Sequence, residues 1–150
     1  MIAVVQRVSE ASVRINKAII GQIGIGFMVL LGISEDDTEE DVFWIIKKIV
    51  GLRIFSDLND KLNLDLAQVD GNVLLISQFS LQASTKKGNR PSFITAARPE
   101  QAIPLYEKAI QVLNDGIGKK IETGVFGADM KVSLINDGPM TIILDSKNKV

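Results

Sequence analysis

The chain contains no histidine and no cysteine among its 150 residues. These two absences remove serine–histidine and cysteine–histidine nucleophilic systems, and they remove imidazole and thiolate metal sites. Without cysteine there is no disulfide framework, so a cytoplasmic setting is expected. No apolar run approaches the roughly 20 residues that span a bilayer. The opening "MIAVVQRVSEAS" has no basic stretch, apolar run and small-residue cleavage site in succession, so no signal peptide is expected. An excess of either charge sign is also lacking, with 17 Lys and Arg against 18 Asp and Glu. The net value of −1 does not advertise a nucleic-acid partner, and any polyanion must be gripped by a local patch. If the chain is an enzyme, its chemistry must use hydroxyls, carboxylates, amides, lysine, the single Tyr106, backbone groups or the substrate itself.

What is present reads as one domain, residues 1–150, with 46% apolar residues and one real core. "AVVQRV" and "ASVRI" alternate as strands, Asn16-Lys17 makes a turn, and "AIIGQIG" follows. "FMVLLGI" is continuous enough for a strand buried on both faces. Asp37 and Thr38 are cap candidates for a helix with an acidic first turn, whose Val42, Ile45, Ile46 and Ile49 fall at helical spacing to about Val50. "RIF" predicts a short strand, and "NVLLISQFSL" predicts the central strand of the sheet. A second helix opens at Pro99-Glu100, carries Ala102, Leu105, Ile110 and Leu113 inward, and ends at Asn114-Asp115-Gly116. Three strands are expected last, in "KKIETGVF", "DMKVSLI" and "MTIILD", with the turn chemistry of Asn136-Asp137-Gly138-Pro139 between the final two. The pattern is α+β, a strand-rich, curled or closed β-barrel-like sheet with two covering helices.

Four segments could carry chemistry. In "LLISQFSL", strand alternation places Gln78 and Ser80 on one face and Ser77 and Phe79 on the other. They are either ordinary strand polar groups or the floor of a pocket that presents an amide and a hydroxyl. The loop "KKGNRPSF" clusters Lys86, Lys87 and Arg90, either as a solvated connection or as a phosphate-binding patch; the P-loop spacing is absent. Lys47, Lys48 and Arg53 form a second basic group. "ETGVFGADM" is either a sheet-edge corner or a groove bordered by Phe126 and Met130 in which a base can stack. Glu122 and Asp129 lack a third ligand at recognisable spacing, so no metal is expected. In "NDGPMT" the proline is unwelcome in a ladder, which marks Gly138-Pro139 either as an ordinary turn or as a deliberately fixed peptide.

Taken together, "AVVQRV", "SQFSL", "KKGNRPSF", "ETGVFGADMKVSLIND" and "NDGPMT" resemble one family, the D-aminoacyl-tRNA deacylases. The resemblance runs from Met1 to about Ser146. It implies a homodimer of barrel-like subunits with active sites at the interface, hydrolysing the ester between a D-amino acid and the 3′-terminal adenosine of tRNA, and removing mischarged glycine. It implies that Gly138-Pro139 is cis and forms a main-chain wall that an L-amino acid strikes, and that Arg7 helps hold that wall. Ser77, Gln78 and Phe79 match the pocket strand, and Phe126 and Met130 match positions beside the adenosine. Ser80 stands where threonine is usual in the family, which keeps the hydroxyl and loses the methyl that would fix its rotamer. With no base to activate Ser80, hydrolysis assisted by the ribose 2′-OH is the economical mechanism, with Gln78 and Ser80 as positioning groups and N–H groups near Phe79 and Ser80 holding the oxyanion. Lys86, Lys87 and Arg90 are candidate phosphate contacts by charge alone. No cofactor, metal, membrane or DNA partner is expected. Two other classes stay open: a non-catalytic dimeric tRNA-binding module, and an esterase for small D-amino-acid esters.

Overall fold

One long strand organises the chain, and the computed structural model describes all residues from Met1 to Val150. Strand β1 (Ile2–Ile15) is continuous where the alternation suggested two strands. Ala3 and Val5 face the larger part of the core, and Val8 faces the other side, as alternation dictates. Ser9 is then an extra residue in the ladder. Such a bulge reverses the faces that follow, so Ala11 and Val13 stay on the same side as Val8.

A turn at Asn16 and Lys17, both left-handed with φ of 50° and 68°, leads into β2 (Ala18–Ile23). β3 (Gly26–Gly32) takes the N-terminal half of the β1 edge and β2 takes the C-terminal half. β6 (Asn72–Ser77) lies parallel to β3, and β7 (Glu122–Thr123) lies parallel to β6. The sheet curls until β2 passes over β7, where a Cβ on Gly21 would sit 2.9 Å from the Thr123 carbonyl oxygen. β3 and β6 are buried on both faces: Phe27, Val29, Val73 and Leu75 point to the helices, while Met28, Leu74 and Ile76 fill the inside of the curl.

The helices form where the period placed them. α1 (Glu39–Gly51) buries Val42, Ile45, Ile46 and Ile49, and Trp44 is half-buried. α2 (Pro99–Ile117) buries Ala102, Leu105, Tyr106, Ala109 and Leu113, with Ile110 only partly covered. Its end lies beyond the expected Asn114-Asp115-Gly116, because Gly118, at φ 71°, is the left-handed cap. Gly116 stays helical and lets Val50 of α1 approach, with Val50 Cγ2 3.0 Å from where a Cβ would stand. Between the helices, β4 (Phe55–Ser56) and β5 (Leu62–Leu64) pair as a short hairpin, and Phe55 stacks on Phe27 at 5.1 Å. The architecture is the expected α+β one, a barrel-like sheet with two covering helices.

Two strand expectations need correction. "KKIETGVF" supplies only Glu122–Thr123, because Gly124 and the left-handed Gly127 (φ 76°) lead the chain out of the sheet. "DMKVSLI" and "MTIILD" are one strand, β8 (Lys131–Asp145), antiparallel to β1 from Arg14↔Lys131 to Ile2↔Asp145. Asp137 to Met140 do not reverse the chain. They bulge out of β8 opposite Arg7, between the pairs Gln6↔Thr141 and Val8↔Asn136. The local turn chemistry is satisfied, but the long-range ladder resumes on the same partner.

Past β8 the chain packs against the start of α1. The Met1 α-amino group donates to Asp37 Oδ1 at 2.6 Å and to Ser146 Oγ at 2.9 Å, and Lys147 Nζ lies 3.1 Å from Asp41 Oδ2. Thr38 caps the helix, its N–H donating to Asp41 Oδ2 at 2.9 Å, while Asp37 is spent on this clasp. Burial acts to raise the Asp41 pKa, but hydrogen bonds from the Ser146 hydroxyl, the Thr38 N–H and Lys147 outweigh it and hold the carboxyl at about 2. On the other helix, the Tyr106 hydroxyl donates to the Leu75 carbonyl at 3.0 Å, and burial pushes its pKa up to about 12.

Both groups give measurable pH effects. The folded Asp41 pKa is depressed, so its contribution is present above pH 4 and is lost as pH falls through about 2. Asp41→Asn should lose on the order of 1 kcal/mol at neutral pH and show a shallower acid decline, measured by urea unfolding followed through the single Trp44. The folded Tyr106 pKa is raised, so stability should fall as pH rises from 10 towards 12. Because Tyr106 is the only tyrosine, the phenolate absorbance of the native protein reports it directly; titration near 10 in the folded state would contradict its burial.

Candidate active site

The parallel strands β3 and β6 end side by side, and a cleft of about 600 Å³ opens beyond them. The Gln78 N–H donates to the Leu31 carbonyl at 2.8 Å, and the chain then leaves the sheet in a 3-10 turn over Phe79–Gln82. Gly32 permits this, since a Cβ there would lie 2.9 Å from the Gln78 carbonyl oxygen and 2.7 Å from Leu81 Cβ. The expected alternation through Ser80 is therefore wrong, because the strand stops at Ser77. Ser77, Gln78 and Phe79 all line the same cleft, whereas Ser80 is not part of its lining and connects to it through Gln78.

Gln78 Nε2 donates to Ser80 Oγ at 2.6 Å. An amide donor cannot take a proton from a hydroxyl, so the contact orients Ser80 without activating it as a nucleophile. Phe79 is 60% exposed and meets Phe93 edge-on at 4.9 Å, forming an aromatic lip. The far wall is the strip Phe126–Met130. Phe126 leans on buried Tyr106 at 5.8 Å, and Met130 Sδ occupies the space where a Cβ on Gly124 would fall. Asp129 reaches the cleft rim, while Glu122 sits apart in β7. The floor between the walls is largely apolar, so the few polar groups at its edge can orient a ligand rather than merely solvate it.

Of the sequence-derived site residues, Ser77, Gln78, Phe79, Phe126 and Met130 are brought together around this cleft. Arg7, Gly138 and Pro139 form a separate group at the β8 bulge. The Gly138–Pro139 bond is cis, and Gly138 has φ of 124°. Arg7 Nε donates to the Asp137 carbonyl at 3.1 Å and Nη1 to the Ile54 carbonyl at 2.6 Å. Asn136 Nδ2 donates to the carbonyls of Arg7 at 3.1 Å and Met140 at 2.9 Å, closing the base of the bulge. None of the three lines the cleft of its own chain. Lys86, Lys87 and Arg90 lie at the exposed tip of a loop whose neck is closed by reciprocal Ser84–Ser92 hydrogen bonds of 2.8 and 2.9 Å.

The sequence reading missed the loop's return. Phe93, Ala96, Ala97 and Arg98 line the cleft, as does the start of α2 at Pro99 and Ala102. The only signal for them was a large aromatic and a run of small residues in an otherwise polar segment.

Comparison with known proteins shows the family. The family model described as D-Tyr-tRNA(Tyr) deacylase matches residues 4–145. A D-aminoacyl-tRNA deacylase of Cytophaga hutchinsonii is 59% identical over 149 residues, covering 99% of each chain. That of Flavobacterium psychrophilum is 55% identical with the same coverage. The solved structure of a c-Myc DNA unwinding element binding protein superposes with a TM-score of 0.90 at 40% identity, over 97% of this chain and 98% of that one. With a family match across nearly its whole length and relatives this similar, the chain belongs to the D-Tyr-tRNA(Tyr) deacylase family.

Proposed function

We propose that the protein is a D-aminoacyl-tRNA deacylase that acts as a homodimer, each cleft being completed by the Gly138-Pro139 bulge of the second subunit. The observation that carries this reading is the division of the site. A largely apolar cleft with an amide, a hydroxyl and stacking surfaces lies on one part of the chain, and a rigidly held main-chain protrusion lies on another. β8 supplies a surface for pairing. It is hydrogen-bonded to another strand only through β1, and it leaves Ile135 and Ile143 54% and 66% exposed.

In this reading the terminal adenosine stacks against Phe126 and Met130, and the aminoacyl ester lies along Ser77 to Phe79. Water, positioned by the ribose 2′-OH with Gln78 and Ser80, adds its oxygen to the ester carbonyl carbon. The resulting oxyanion is held by the N–H groups of Phe79 and Ser80, which begin the 3-10 turn. Collapse breaks the bond to the ribose 3′-oxygen, which leaves with a proton, giving free tRNA and a D-amino acid. The Gly138-Pro139 main chain stands where an L side chain would project, whereas a D side chain points to solvent and glycine has none to reject. The barrier to the wrong enantiomer is steric, so discrimination does not require tighter binding of the right one. Lys86, Lys87 and Arg90 meet tRNA phosphates farther along the strand.

Paired hydrolysis of D-Tyr-tRNA and L-Tyr-tRNA tests the reading. The D-ester should be cleaved and the L-ester spared, and Gln78→Ala should lower kcat/KM by roughly 10²-fold. Gly138→Ala introduces a residue that resists φ of 124° and places a Cβ 2.7 Å from Arg7 Nη2, displacing the guanidinium that holds the bulge. It should reduce the D-to-L ratio by about tenfold or more, equivalent to about 1.4 kcal/mol. Cleavage of neither ester would leave a tRNA-binding module; equal cleavage of both would dispose of the wall. Rates on a small D-amino-acid ester equal to those on tRNA would favour the small-ester reading.

A further inference from the structure

A second hollow, of about 380 Å³, is lined by Arg14, Asn16, Lys17, Asp129 and Lys131. It adjoins the candidate active cleft, because Asp129 lines both. Met130 faces the first and Lys131 the second, so three consecutive residues step from one to the other, roughly 7 Å at strand rise. That is about one nucleotide of extended chain.

The cations here are concentrated, and the backbone positions that carry them are set by regular structure. Arg14 and Lys131 are ladder partners across β1 and β8, and Lys17 is set by its left-handed turn. Lys131 pairs with Asp129 at 2.9 and 3.2 Å, while Arg14 and Lys17 make no ion pair. Three positive groups thus surround one carboxylate in a chain whose net charge is −1. Asn16 adds an amide donor at the rim. Such a hollow suits an oxyanion, and its position beside Phe126 and Met130 says which one.

We infer that this hollow seats the phosphodiester groups of the RNA strand as it leads into the terminal adenosine. The inference rests on the reading of the neighbouring cleft as the adenosine site. Unlike the Lys86–Arg90 tip, the hollow carries its cations on the β1–β8 ladder and the β1–β2 turn, next to the candidate cleft. It would fix the register of the RNA end as well as attract it.

The test is binding of uncharged tRNA across a salt series, read by fluorescence anisotropy, for the wild type and for Arg14→Gln/Lys17→Gln. The double variant should bind about tenfold more weakly at low salt. Its slope of log K against log salt should be shallower by about 0.7 for each single-strand phosphate that the variant no longer neutralises. Lys17→Gln alone, at an exposed turn where the side chain makes no hydrogen bond or ion pair, should show part of the same change. Unaltered affinity and slope in these variants would overturn the inference, as would loss of the whole salt dependence in Lys86→Gln/Lys87→Gln/Arg90→Gln alone. Hydrolysis of D-tyrosyl-adenosine, which carries the ester and no phosphate, separates the two readings. Equal rates in wild type and double variant, with weaker tRNA binding, support the hollow as a phosphate seat, whereas a wild type that binds tRNA with the expected slope but hydrolyses neither substrate fails only as an esterase.

Discussion

The antiparallel ladder between β1 and β8 is the constraint on which the Gly138-Pro139 bulge, the basic hollow and the clasp at the start of α1 depend. It runs from Arg14↔Lys131 at one end to Ile2↔Asp145 at the other. At one end it sets two cations side by side. In the middle it offers Arg7 as the anchor for residues that have left β8. At the far end it delivers Ser146 and Lys147 to the buried carboxylates that start α1. A one-residue slip in such a ladder would turn each of these side chains to the opposite face, so the register itself is a functional property. The bulge at Ser9 is part of this setting, because it keeps Val8, Ala11 and Val13 on one buried side while the ladder continues.

The cleft is chemically sparse, and that sparseness narrows the mechanism. Ser80 accepts a hydrogen bond from the Gln78 amide at 2.6 Å, and it has no carboxylate, imidazole or amine partner. A serine nucleophile needs its proton removed as it attacks, and an amide N–H cannot do this. The threonine usual in the family would give the hydroxyl a stiffer rotamer, whereas here the Gln78 contact supplies the orientation. The groups that remain suit fixing a water and an oxyanion. In the proposed mechanism most of the driving chemistry falls to the substrate's own hydroxyl, since the protein has no histidine, the residue most often used as a general base near neutral pH.

The helices were legible because their signal is local: Val42, Ile45, Ile46 and Ile49 repeat at the helical period and are buried as that period requires. The strands that failed did so for a non-local reason. Asn136-Asp137-Gly138-Pro139 has the composition of a chain reversal, and nothing nearby says that both flanks share one partner more than a hundred residues earlier. Likewise, alternation in "LLISQFSL" extends the strand through Ser80, but Gly32 on the neighbouring strand allows the chain to turn at Gln78. The identities of Ser77, Gln78, Phe79, Phe126 and Met130 were readable as polar or aromatic residues in unusual settings. Phe93, Arg98 and the hollow of Arg14, Lys17 and Lys131 were not, because only the tertiary return of distant segments brings them together.

The division between cleft and bulge also explains why a main-chain element is suited to the proposed chiral barrier. A side-chain wall can rotate away, at a cost of order 1 kcal/mol for a distorted rotamer, which is comparable to the discrimination it would have to provide. The bulge has little such freedom. Its base is closed by two hydrogen bonds from Asn136, and its outer segment is held through Asp137 by the Arg7 guanidinium, which is itself fastened to the Ile54 carbonyl. Moving it would break several of these hydrogen bonds together, each worth about 1 kcal/mol and more where the donor is charged. Rigidity therefore comes from the ladder and from Arg7, not from the bulge residues alone. A barrier assembled this way can reject one enantiomer while making almost no favourable contact with the other, leaving affinity to the surfaces proposed for the adenosine and the phosphates.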